Sequence, residues 1–140
     1  MNRVVVNAEE VPLPAWNKAL KRYARKVLSV MGKKKWDLAF LLCGDRTITA
    51  LNSQFRGKDE ATDILSFSPG DIAISLDTLR ENARSYRINE DEELRRLVIH
   101  GILHLDGMEH QTNTEDEPML QFQEYILEKL SGEYIMGRNA

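Results

Sequence analysis

NEDEELRRLVIHGILHLDG, residues 89–107, is the stretch around which the rest of the chain has to fold. Asn89, followed three residues later by Glu92, is a capping pattern that starts a helix, and Gly107 is placed to end it just after Asp106. Apolar residues lie on nearly all sides of this helix, which predicts that it is largely buried. They are Leu94, Leu97, Val98, Ile99, Ile102, Leu103 and Leu105.

The segments on either side of this helix show strand and helix patterns in turn. Strands are predicted over residues 3–7, 36–43, 62–67 and 70–76, from apolar and β-branched runs bounded by turn signals. Further helices are predicted over residues 14–31, 45–56, 77–86 and 114–132, from apolar residues at helical spacing and capping patterns. Asp45 is the expected N-cap of the second of these helices, and Thr114, with Glu117, is the expected N-cap of the last.

This order of elements predicts the α+β fold class. Strands separated by helices imply right-handed crossovers and parallel pairing, so we expect a small, mostly parallel four-stranded sheet packed with four to five helices. The buried helix should lie at the centre. A chain of 140 residues with 42% hydrophobic content fits one domain, residues 1–140.

Composition narrows the class of protein and its surroundings. No run of about 18 apolar residues is present, and the N-terminus resembles no signal peptide, so a cytoplasmic protein without a membrane partner is expected. The single cysteine, Cys43, is predicted to be a buried core residue. Residues 1–60 carry 12 basic against 6 acidic side chains, and residues 61–140 carry 7 against 16. The basic half suits an anionic partner, although a solvated helix face and a turn are the simpler interpretation.

All three histidines of the chain lie within HGILHLDGMEH, residues 100–110. His100 and His104 are four residues apart and therefore share one helix face, while Gly107 permits the reversal that returns His110 to them. Three imidazoles with a free fourth position are typical of a catalytic zinc site, so one Zn²⁺ per chain is predicted, with nickel or copper as substitutes.

The same spacing occurs in the metzincin proteases, H-E-x-x-H-x-x-G-x-x-H. Their glutamate is replaced here by Gly101, which removes the group that carries protons in amide hydrolysis. A phosphodiester makes other demands, chiefly a cation for the charge that develops at phosphorus. Arg56 is the candidate cation, although a surface arginine is the simpler interpretation. Glu109 and Asp106 are candidates for a base or for orienting an imidazole, or are merely solvated.

Three blocks of the sequence resemble the YbeY family of bacterial rRNA maturation factors, which are metal-dependent endoribonucleases. The blocks are LNSQFRGKDEATDILSF from Leu51, GDIAIS from Gly70 and HGILHLDGMEH from His100. The resemblance implies an α+β fold with the ligand helix at its centre, zinc ligands at His100, His104 and His110, and a functional arginine at Arg56. Where relatives usually read G-Y-D-H, this chain reads Gly-Met-Glu-His, which weakens any role that needs an exactly placed carboxylate at Glu109.

The resulting hypothesis is a zinc-dependent endoribonuclease that acts on single-stranded RNA, with Arg56 and Glu109 as its catalytic residues. The resemblance implies maturation of the 3′ end of small-subunit rRNA and ribosome quality control, with the small subunit and ribosomal proteins as partners. Two alternatives stay open: a non-catalytic ribosome assembly factor, and a metallohydrolase of peptides or small molecules. The sequence leaves the nucleophile and the oligomeric state undetermined.

Overall fold

The computed structural model of the protein describes residues 1–140 and contains four strands and five helices. In chain order they are β1 (Arg3–Ala8), α1 (Asn17–Val30), β2 (Asp37–Cys43), α2 (Asp45–Arg56), β3 (Ile64–Phe67), β4 (Asp71–Ser75), α3 (Leu76–Tyr86), α4 (Glu90–Leu105) and α5 (Pro118–Lys129). None of the helices combines the length and the apolar composition needed to cross a membrane.

The four strands form one sheet in the order β1-β2-β4-β3. β1, β2 and β4 run parallel, and β3 lies antiparallel to β4 at the edge of the sheet. A tight turn at residues 68–70 joins β3 to β4, as the Ser-Pro-Gly sequence predicts. The predicted α+β class, with a small and mostly parallel sheet, is confirmed.

One face of the sheet carries the main core. Alternate residues of β1, β2 and β4 point to this face, where α1 and α4 pack against them. The residues of these strands that belong to the main core are Val4, Val6, Leu38, Phe40, Leu42, Ile72 and Ile74. α4 is buried along most of its length, and α5 packs against its other side. The predicted central position of this helix is therefore confirmed.

The opposite face of the sheet is only partly covered. α2 packs over β3 and β4 and forms a small second cluster of buried residues that includes Cys43 and Ile48. The outer face of β1 has no such cover, and Val5 on that strand is 52% exposed. The prediction that Cys43 is a core residue is confirmed, and its Sγ atom donates to the carbonyl of Ile74.

Asp45 was expected to cap α2, and this prediction is wrong. Gly44 occupies the N-cap position, and Asp45 is the first residue of the helix. The free N–H groups of the first turn are instead taken by distant carboxylates: Thr47 donates to Glu10 Oε1 at 2.8 Å, and Asp45 donates to Asp77 Oδ2 at 2.9 Å. A helix start that is capped from other elements needs no local capping residue.

The predicted start of the last helix is also wrong. Thr114 does not cap it, because α5 begins at Pro118 with Glu117 in the N-cap position. Proline suits the first helical position, where no N–H is needed. The Glu117 carboxylate accepts hydrogen bonds from the amide and hydroxyl of Thr112, at 3.1 and 2.6 Å, and so holds the preceding loop.

The first turn of α4 is fixed by two sets of hydrogen bonds. Asn89 Oδ1 accepts from the Glu92 amide at 2.8 Å, as the capping pattern predicts. Asp91 is fully buried, pairs with Arg95 at 2.7 Å, and accepts from the amides of Ile135 and Met136. The segment after α5 is thereby tied to the start of the central helix.

Candidate metal centre

The C-terminal half of α4 and the reversal after it bring the three histidines together. His100 and His104 lie one turn apart, and their Nε2 atoms are 3.0 Å from each other. Gly107, with φ of 88°, turns the chain back, and its amide donates to the carbonyl of His104. The ring of His110 then lies 5.3 Å from that of His100 and 5.9 Å from that of His104, measured between centroids.

The donor atoms of these three residues fit a metal ion. One nitrogen from each imidazole lies within 4.8 Å of the other two. Nitrogens bound tetrahedrally to zinc at 2.0–2.1 Å lie about 3.3 Å apart, close to the separation between His100 and His104. An all-imidazole set of this kind can hold a metal ion, as the spacing predicts, and leaves a coordination position free of protein.

Hydrogen bonds to the Nδ1 atoms of His100 and His110 determine which nitrogen of each ring can bind a metal. His110 Nδ1–H donates to the carbonyl of Thr112 at 2.7 Å, and a carbonyl can only accept. His100 Nδ1 lies 2.6 Å from Gln123 Oε1, and the amide nitrogen of Gln123 is turned toward Glu124. Nδ1 therefore carries the proton in both rings, so each Nε2 presents a lone pair.

The environment also keeps two of the imidazoles neutral, those of His100 and His104. Burial lowers the pKa of His100 below its usual 6.5, and repulsion by His110 adds to the effect. Burial likewise lowers the pKa of His104, with further repulsion from both neighbouring histidines. Neutral rings are the form that binds a metal, so the site is ready for a cation at neutral pH.

A polar cleft of about 440 Å³ opens in front of the three histidines and is called the metal cleft below. Arg56 and Glu109, the two predicted catalytic residues, both line it. Arg56 is exposed at the end of α2, with one guanidinium nitrogen 3.5 Å from the carbonyl of Ser66. Asp106 faces elsewhere and pairs with Lys33 at 2.8 Å, so it takes no part in the cleft.

A family model described as "Endoribonuclease YbeY" matches residues 5–131 of the chain. The chain belongs to the YbeY family. This membership confirms the resemblance seen in the sequence and the class of enzyme predicted from it. The endoribonuclease YbeY of Treponema denticola is 41% identical over 123 residues, which cover 77% of this chain and 79% of that protein. The endoribonuclease YbeY of Treponema pallidum is 38% identical over 142 residues, covering 91% and 89%.

The fold agrees with a solved structure. The solution structure of a Thermotoga maritima protein superposes with a TM-score of 0.64 at 30% sequence identity. The match covers 95% of this chain and 91% of that protein. The sheet and helices described above therefore follow an architecture already seen by experiment.

Gly101 shows how this member of the YbeY family differs from a protease. A Cβ atom at this position would lie 2.8 Å from Ile64 Cδ1 and 3.2 Å from Ile72 Cδ1. The position faces the sheet, and a side chain there would have to displace the ends of these two isoleucine side chains. The glutamate of the metzincin motif is thus absent from this chain, and isoleucine side chains fill the space beside its position.

Several residues of the metal cleft are not predicted by the sequence patterns described above. Gln123 on α5 orients His100, and Asp63, Ser66 and Ser68 line the cleft. The two serines could have been predicted, because every second residue of a strand points to the same side. In the structure, Ser66 donates to the carbonyl of Gly101 at 3.3 Å. Gln123 has no such signal, because it lies 23 residues beyond its partner on a different helix.

Proposed function

We propose that the protein is a zinc-dependent endoribonuclease that cuts single-stranded RNA and acts in rRNA maturation at the 3′ end of the small-subunit RNA. Ribosome quality control and a cytoplasmic location belong to the same proposal. The observation that carries it is the convergence of three imidazoles at the floor of a polar cleft that also contains an arginine. Membership of the YbeY family supports the choice of RNA as substrate.

His100, His104 and His110 would hold the ion. Zinc is the choice that three neutral imidazoles and a free position favour, and nickel or copper would also be held. When bound, the metal supplies a Lewis acid that polarises the phosphodiester and lowers the pKa of a water molecule. The protein's own contribution is to fix the tautomers through Gln123 and the Thr112 carbonyl, and to keep His100 and His104 unprotonated.

Arg56 would bind the phosphate. Its guanidinium lies at the rim of the metal cleft and takes part in no ion pair, and one of its nitrogens lies 3.5 Å from the Ser66 carbonyl, so the remaining donors are free for phosphate oxygens. Charge at phosphorus increases in the transition state, and a cation fixed beside it lowers the barrier. Ser68 lines the same wall and can donate a further hydrogen bond, whereas the Ser66 hydroxyl already donates to the Gly101 carbonyl.

Glu109 would serve as the proton acceptor. Its carboxylate borders the metal cleft next to His110 and is exposed to solvent, through which it can release a proton. The attacking hydroxyl, whether of water or of the ribose, has to lose its proton to an acceptor in the cleft. A carboxylate of either length can do this, which suits the glutamate found here where relatives usually have aspartate.

Cleavage of a labelled single-stranded RNA tests the proposal. His104→Ala should abolish cleavage, and Arg56→Glu should lower kcat/KM by about 100-fold or more, as the loss of one transition-state donor does. Arg46→Glu is a matched control, because Arg46 is an exposed arginine on the same helix outside the cleft. Its activity should equal that of the wild type.

Four outcomes distinguish the competing functions. Chelation should stop cleavage and added zinc should restore it. Tight RNA binding without turnover in any condition would favour the assembly-factor alternative. Chelator-sensitive hydrolysis of peptides would favour the metallohydrolase alternative, which the absence of a glutamate at position 101 argues against. Cleavage that persists unchanged in both cleft variants would show a contaminating nuclease and would refute the proposal.

A further inference from the structure

Two consecutive residues at the end of α2 lie on opposite sides of the edge strand β3. Arg56 lines the metal cleft, and Phe55 lines a separate depression of about 430 Å³ on the open face of the sheet, called the apolar groove below. The strand alternates in the same way, with Ser66 in the metal cleft and Phe67 in the apolar groove. The edge strand β3 therefore separates the metal cleft from the apolar groove.

The apolar groove is built for a flat, apolar group. Leu41, Leu51 and Phe67 form its floor and sides, and Phe55 stands at its rim with 59% of its surface exposed. The two phenyl rings are 5.1 Å apart between centroids and inclined by 59°. A large exposed aromatic side chain beside an open apolar face offers a stacking surface.

The polar residues of the groove indicate which flat group it takes. Asp71 and Asn7 are its polar side chains. The Asp71 carboxylate repels a phosphate but accepts hydrogen bonds from the amino groups on the edges of nucleobases, and Asn7 can both donate and accept. The chemistry of the groove therefore favours a base over the sugar-phosphate backbone.

We propose that the apolar groove binds one nucleobase of the RNA strand whose phosphate lies on Arg56, with Phe55 as the stacking platform. This inference rests on the proposed function, since it supplies the substrate strand. Phe55 and Arg56 are consecutive residues at the end of α2, so an RNA strand whose phosphate lies on Arg56 passes the edge of β3 beside the apolar groove. A base can enter the groove only when it is unpaired, which gives the site a preference for single strands.

Fluorescence of a labelled RNA tests this directly and without turnover. The probe is a single-stranded RNA of about eight nucleotides, a usual site length, with phosphorothioate linkages that resist hydrolysis. It carries 2-aminopurine at one position at a time, a base whose emission is quenched when it stacks. Wild-type protein should quench the probe at one position. Phe55→Ala should abolish that quenching and weaken binding by about tenfold, the loss expected for one stacked base.

Three further variants make the result specific. Phe55→Trp should retain both binding and quenching, since it keeps an aromatic face. Phe55→Leu should lose the quenching, since it keeps apolar area alone. Tyr86→Ala should behave as wild type, because Tyr86 is 63% exposed but lies outside both the groove and the metal cleft.

The outcomes separate this inference from the proposed function. Unchanged affinity and quenching in Phe55→Ala would overturn the inference. It would also be overturned if the wild type were a dimer, and Phe55→Ala a monomer that binds RNA as the wild type does. Position-specific quenching that depends on Phe55 in a protein that cleaves no RNA would support the inference and refute the endoribonuclease proposal. Failure of the wild type to bind the probe would overturn both.

Discussion

Gln123→Leu should weaken metal binding while leaving the fold intact. Gln123 is 6% exposed, and its Oε1 atom lies 2.6 Å from His100 Nδ1. Leucine has a similar volume but no acceptor, so the variant removes the group that holds the proton on Nδ1. Without it, the metal-free protein can move this proton to Nε2, where His104 lies 3.0 Å away and can accept it. In the metal-bound form the proton cannot move to Nε2, because the lone pair of that atom has to point at the ion.

The size of the effect follows from the burial of that hydrogen bond. A buried donor left without a partner costs about 1–3 kcal/mol. Since about 1.4 kcal/mol corresponds to a factor of ten, the Kd for zinc should rise by roughly 5- to 150-fold. Losses of about 10- to 100-fold are typical when the outer partner of a metal-binding histidine is removed.

Competition against a chromophoric chelator measures the Kd for zinc in each variant. Gln121→Leu is the matched control, because Gln121 is an exposed glutamine on the same helix, and its Kd should equal that of the wild type. Gln123→Glu should bind zinc at least as tightly as the wild type, since a carboxylate is a stronger acceptor for Nδ1–H. A Gln123→Leu variant that melts as the wild type does and binds zinc with unchanged affinity would refute the reasoning.

Burial and pairing elsewhere in the chain lead to three other expectations. Chelator-treated protein should lose stability as the pH falls below 6.5, because folding lowers the pKa values of His100 and His104 and the unfolded chain therefore takes up protons first. Urea unfolding at several pH values measures the free energy of unfolding. Replacing both residues with glutamine should make this free energy depend less on pH. Asp91→Ala should lower the free energy of unfolding by about 3–5 kcal/mol, because Arg95 stays buried without its partner. Urea unfolding at neutral pH measures this loss, and a loss below about 1 kcal/mol would contradict the prediction. Burial raises the pKa of Cys43 to about 12, so a thiol reagent at mildly alkaline pH should label it only after unfolding, and rapid labelling of the native protein would disprove this.

The parts of the structure that the sequence predicts well are those decided by neighbouring residues. The limits of α4 follow from its cap at Asn89 and from Gly107, and the meeting of His100 with His104 follows from the period of a helix. The return of His110 needs only the reversal at Gly107. Eleven residues thus determine most of the candidate metal centre, which is why its geometry could be predicted before the fold was known.

The parts that were missed depend on residues distant in the chain. Gln123 reaches His100 from another helix, and Asp63 enters the metal cleft from the loop before β3. The start of α2 was misplaced for the same reason, since Glu10 and Asp77 supply its caps from 37 and 32 residues away. Side chains that meet only through tertiary packing leave no periodic pattern in the sequence, and local capping rules do not detect them.

The close packing at Gly101 limits how this architecture can evolve. Gaining a proteolytic base would require a glutamate at that position, and its Cβ atom would lie 2.8 Å from Ile64 Cδ1 and 3.2 Å from Ile72 Cδ1. The ends of those isoleucine side chains would have to turn away to accommodate it. The shared histidine spacing is therefore not enough to convert a nuclease into a protease, because the contact between α4 and the sheet has to repack as well.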